Sequence, residues 1–131
     1  MTMTPEVAAA EIQRLTGLPT LSGAQFRSVG GGILLHAVFS ALYYDFVVPA
    51  VETGSVVPGD VTAFLELCAS SGDADVVNAL EVSCLEDAVR GRPKSAPFLN
   101  ALGAQCRSIA LDIAARFDTD IAGGHENAEL E

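Results

Sequence analysis

The chain has 131 residues, half of them apolar, and its 17 acidic against 7 basic side chains give a net charge of −10. That length suits one domain around one core, and the charge argues against nucleic acid as a partner, because phosphate binding needs clustered Lys and Arg. The longest uncharged stretch, residues 28–44, contains three glycines and His36 and is followed by Asp45, so no membrane span is expected.

Met1-Thr2-Met3-Thr4 lacks a basic segment leading into an apolar run, so no secretory signal is expected and a cytoplasmic location is. Cys68, Cys84 and Cys106 are widely spaced and form no C-x-x-C pair. They are expected as reduced core residues, with neither a metal nor any other cofactor. Residues 28–89 hold no Lys or Arg, while Asp45, Glu52, Asp60, Glu66, Asp73, Asp75, Glu81, Glu86 and Asp87 all lie there. This stretch projects a negative field, which is either solvated surface or a steering surface for a basic partner.

Thr4, Pro5 and Glu6 form an N-terminal helix signal of cap, proline and first-turn acid, and the helix should end near Gly17. Residues 18–32 are rich in Gly, Ser and Pro and predict a loop with one turn around 24–28 and a flexible hinge at Gly30-Gly31-Gly32. Leu35, Val38, Phe39, Leu42 and Phe46 recur at helical spacing and predict a helix over 33–48, ended or kinked by Pro49. Asp60 is expected to cap a third helix through Val61, Phe64, Leu65 and Cys68. Asp73 should cap a fourth that runs to Arg90. Its apolar surface is broad, with Val77, Leu80, Cys84 and Ala88 beside Val82, Leu85 and Val89, as befits a central helix. A fifth helix follows Ser95 or Ala96, with Phe98, Leu102, Cys106, Ile109, Ile113 and Phe117 on one seam. Residues 1–117 are thus expected as an all-α bundle of about five helices, and 118–131 as a flexible acidic tail.

The most individual segment is Asn78-Ala79-Leu80-Glu81-Val82-Ser83-Cys84-Leu85-Glu86-Asp87. It resembles the N-A-x-x-V-S-x-L-E-[ND] segment of a group of small helical bacterial proteins of uncharacterised function, some of which look like toxin-immunity partners. The resemblance implies a helical fold and no established enzyme activity. From the residues themselves, Glu81 lies near the core stripe of its helix, where it is either a structural partner of Arg107 or of backbone donors, or a site carboxylate. Glu86 can pair with Arg90 one turn on.

Catalytic motifs are not found: there is no G-x-S-x-G, Walker loop or H-E-x-x-H, and the histidines are His36 and His125 alone. Tyr43 and Tyr44 point about 100° apart on a helix, so at least Tyr44 should meet solvent beside Asp45. Exposed tyrosines among acids have the composition of a binding hot spot. The sequence therefore favours a non-catalytic domain that binds a basic protein, such as a toxin, as an immunity-like or antitoxin-like inhibitor. Tyr43, Tyr44, Asp45, Glu52, Asp60 and Glu66 would form the contact. Two alternatives stand: a ligand-binding or enzymatic pocket around Asn78, Glu81 and His36, and a homo-oligomeric structural protein.

Overall fold

In the computed structural model, which describes residues 2–124 with side chains through 118, the chain folds as a compact all-α bundle of six helices. Helix α1 is Pro5–Thr16. Thr4 caps it through Val7 N–H at 3.1 Å, and Gly17 closes it in the left-handed conformation at φ 79°. The loop that follows is tied back to α1, with the Thr20 hydroxyl donating to the Ala9 carbonyl at 2.7 Å and Gln13 Oε1 accepting from Leu21 and Ser22 N–H. The expected turn is a 3₁₀ turn, Ala24–Phe26. The three glycines, expected as a hinge, lie instead in a hydrogen-bonded turn. Ser28 N–H meets the Gly32 carbonyl at 2.8 Å, the Arg27 guanidinium donates to the Gly31 carbonyl at 2.9 Å, and Arg27 bridges Ile33 across the turn.

Helix α2 spans residues 35–52 and does not end at Pro49. It is built of Leu35–Ala41, a π segment Leu42–Val47, and Val48–Glu52. A helical proline lacks an N–H and crowds the carbonyl four residues back. The wide turn directly before Pro49, where Val48 N–H bonds to the Tyr43 carbonyl, makes room for the ring. One extra residue in that turn also shifts the apolar stripe. Val47 is buried, while Phe46, expected on the stripe, is only partly so.

Helix α3 is Gly59–Ala69, starting two residues earlier than expected. Pro58 occupies the cap position and Asp60 falls in the first turn, favourable to the helix dipole but capping nothing. The fourth helix, α4, spans residues 74–90 and is capped as expected, Asp73 accepting from Val76 N–H at 3.0 Å. It too contains a π segment, Glu81–Leu85. Its buried residues run Val76, Ala79, Leu80, Ser83, Cys84 and then Leu85, Ala88, Val89, so Val82 faces out at 40% exposure. As its broad apolar surface predicts, α4 is central, and every other helix packs against it.

The single fifth helix expected is two. Ala96–Asn100 forms α5, and after a break at 101–103 α6 is Ala104–Gly124, extending beyond Phe117, the expected end. Residues 125–131, half of the expected tail, and His125 with them, lie outside the described residues. The core gathers Phe39, Leu42, Leu65, Leu80, Leu85, Phe98 and Ile113 with the three cysteines, all free and buried. No described helix is long and apolar enough to cross a membrane.

Candidate binding site

The π segment of α2 turns Tyr43 inward, where it is 5% exposed, and leaves Tyr44 outward at 51%. Their rings meet edge to face, 5.0 Å apart at 79°, and Tyr43 also packs 6.1 Å from Phe98 of α5. Both rings face a cavity of about 330 Å³ whose other wall is the end of α4 and the turn into α5. Val48 and Val51 line its α2 side, Gly91 and Ser95 its far side. Around it stand Glu52, Asp87, Arg90 and Lys94.

The charges at this cavity differ in how free they are. Arg90 reaches Glu86 at 3.9 Å, the expected i,i+4 pair, and lies 4.9 Å over the Phe117 ring. Glu52, Asp87 and Lys94 have no ion-pair partner among the described residues. Burial, and then the neighbouring Cys84, Tyr44 and Asp87, push the Tyr43 phenol up to about 12, so it stays protonated. Tyr44 is raised by desolvation and by the Asp87 carboxylate beside it. Among the described residues the Tyr43 hydroxyl has no hydrogen-bond partner, an uncommon state for a buried phenol.

Of the six residues expected at a partner surface, Tyr43, Tyr44 and Glu52 therefore share one cavity. Asp45 is exposed on the same wide turn but does not line it. Asp60 is exposed on α3, within electrostatic reach of Arg14. Glu66 is engaged elsewhere in the fold: its carboxylate accepts from Gln105 N–H at 2.7 Å and Cys106 N–H at 3.0 Å, capping α6. Asp87 and Lys94 also belong to the cavity: Asp87 lies beyond the phase slip of α4, which constant helical spacing does not show, and Lys94 lies in the turn after that helix.

The second expected group divides. His36 Nδ1 is 2.7 Å from the buried Ser83 hydroxyl, and Asn78 Nδ2 faces His36 Nε2 at 3.4 Å. With the amide donating to Nε2, Nδ1–H donates to Ser83, which leaves the serine oxygen an acceptor with no base to activate it. This contact ties α2 to the π segment of α4. Glu81 stands apart, paired with Arg116 at 3.1 Å rather than with Arg107, which donates instead to the Asn100 carbonyl. The cavities at Tyr43, at Val56 and at Leu111 are lined by none of His36, Asn78 and Glu81.

No protein-family model matches the chain, and no curated protein or solved structure is similar enough to be matched to it.

Proposed function

We propose that the protein is a non-catalytic binding domain that holds a basic protein against the face around Tyr44, as an immunity-like or antitoxin-like inhibitor does. The observation that carries this reading is the half-exposed Tyr44 ring, braced edge-on by the buried Tyr43 and flanked by Glu52 and Asp87, neither of them ion-paired among the described residues. A braced aromatic offers large contact area with little rotamer entropy left to lose, and unpaired carboxylates beside it offer charge to a cationic partner. The stretch that supplies Tyr44, Glu52 and Asp87, residues 28–89, contains no Lys or Arg, and the cations at the cavity, Arg90 and Lys94, follow it in the chain. The resemblance of segment 78–87 to immunity-like proteins points the same way. Such an inhibitor acts in the cytoplasm, where three free thiols stay reduced.

The test is comparative capture from host lysate with immobilised wild type, Tyr44→Ala, and Asp75→Lys as a distant charge control. The reading predicts a basic protein held by wild type and by the control and lost with Tyr44→Ala. A protein held equally by all three places the contact elsewhere.

A further inference from the structure

A flat protein-facing surface needs Tyr44 and the acids, but it has no use for the buried hydroxyl of Tyr43. Tyr43 as a residue is 5% exposed, and its hydroxyl, without a described partner, faces Gly91, where an added Cβ would stand 3.2 Å from it. The glycine keeps the space before the phenol open. A donor with no protein partner at the wall of a cavity leaves an acceptor position that a ligand atom can take from water.

The other walls define what that ligand carries. Lys94 offers an unpaired cation and Asp87 and Glu52 two unpaired carboxylates, while Val48, Val51 and the Tyr44 ring give an apolar side. A simple anion would meet two carboxylates, a simple cation would meet Lys94 and Arg90, and an uncharged apolar ligand would leave the phenol unsatisfied. The volume of about 330 Å³ lies at the small end of ligand sites, which suits one compact molecule.

We propose that this cavity binds a small zwitterion, a free α-amino acid with an apolar side chain, its carboxylate on the Tyr43 hydroxyl and Lys94, its ammonium on Asp87 and Glu52, and its side chain against Val48, Val51 and Tyr44. This goes beyond the protein-binding function and does not depend on the partner. The Tyr43 phenol is protonated at neutral pH, and burial pushes it further up, to about 12, so it is a donor for the carboxylate.

Tyr43 and Tyr44 are the only tyrosines and there is no tryptophan, so tyrosine emission reports on this cavity alone. The full chain is titrated with L-leucine, with 4-methylpentanoic acid, which lacks the amine, with 3-methylbutylamine, which lacks the carboxylate, and with glycine. Saturable binding of L-leucine is expected, with each of the other three weaker by roughly 10-fold or more, the scale of losing one charged hydrogen bond or the apolar contact. Tyr43→Phe should weaken L-leucine by about 10-fold at an unchanged or higher melting temperature, with Tyr44 as the remaining reporter. Lys94→Met should bring L-leucine down to the level of the amine. No saturable response to L-leucine up to its solubility limit overturns the proposal. So does an amine that binds as tightly as L-leucine, or a Tyr43→Phe protein of unaltered affinity. Protein capture through Tyr44 is read separately, so either conclusion can fail alone.

Discussion

Glu66 illustrates how one side chain can be drawn from a surface role into the fold. It lies on α3, yet its two carboxylate oxygens take the backbone donors of Gln105 and Cys106 at the start of α6. Gly103 permits this approach, since a Cβ there would come 2.7 Å from the carboxylate. Glu66→Ala should cost about 1–2 kcal/mol in urea denaturation at pH 7, the magnitude of a lost helix cap. Burial alone would raise the Glu66 pKa, but the amides of Cys106 and Gln105 outweigh it and hold the carboxyl below its ordinary value. A depressed carboxyl stabilises the fold above its unfolded value of about 4.3 and ceases to do so as pH falls through the lower folded value. The difference between wild type and Glu66→Ala should therefore shrink in acid, and a difference constant down to pH 2–3 would contradict the cap. Tyr43 behaves oppositely: with no described partner for its hydroxyl, Tyr43→Phe should leave stability within about 0.5 kcal/mol or raise it. A clear loss would mean that the hydroxyl is bonded.

At the scale of elements, the helices, the caps at Thr4 and Asp73, and the central place of α4 were all legible, because each rests on local periodicity or on a capping side chain. The two π segments were not. A π turn absorbs one inserted residue, so the apolar stripe moves on by one position: Val47 rather than Phe46 is buried in α2, and Leu85 and Val89 join Cys84 and Ala88 in α4. Read at constant helical spacing, that shift appears as a misplaced Phe46 and an over-broad stripe on α4. It also conceals the site, since Asp87 and Arg90 reach the cavity only beyond the second slip. The break at 101–103 was missed because Leu102 and Cys106 continue a helical spacing, while the cap that starts α6 comes from Glu66, distant in sequence. Deleting Val82, exposed within the π segment, should return α4 to plain helix with both flanking faces kept in phase. Deleting the still more exposed Leu111 of α6 has no bulge to absorb it and turns Ile113 about 100° out of the core. Urea midpoints should place the first variant well above the second. The reverse order would show that the bulge itself is essential to packing.

At the scale of the whole molecule, the three thiols report on global opening. Burial pushes Cys68 and Cys106 up to about 12 and Cys84 higher still. At neutral pH a thiol reagent should label none of the three in the native protein and all three after denaturation. A thiol raised in the fold contributes stability below its unfolded value of about 8.5, and that contribution disappears as pH rises through the folded value. Melting temperature should accordingly fall from about pH 9 upward, with Tyr43 adding to the loss above about pH 10. A flat profile to pH 11 would contradict the buried thiols.

The charge of −10, with a stretch of sixty residues' order free of Lys and Arg behind Tyr44, gives the binding reading its most direct measurement. The protein retained by wild type and lost by Tyr44→Ala is mixed with this chain in a stopped-flow instrument at about 0.1 M and about 1 M salt, where the Debye length contracts from about 10 Å to about 3 Å. Steered association predicts an on-rate that falls at least 10-fold across that range. It also predicts that Asp45→Lys with Glu52→Lys slows association, while Tyr44→Ala speeds dissociation. An on-rate indifferent to salt and to both changes would contradict the acidic tyrosine face as the site of binding.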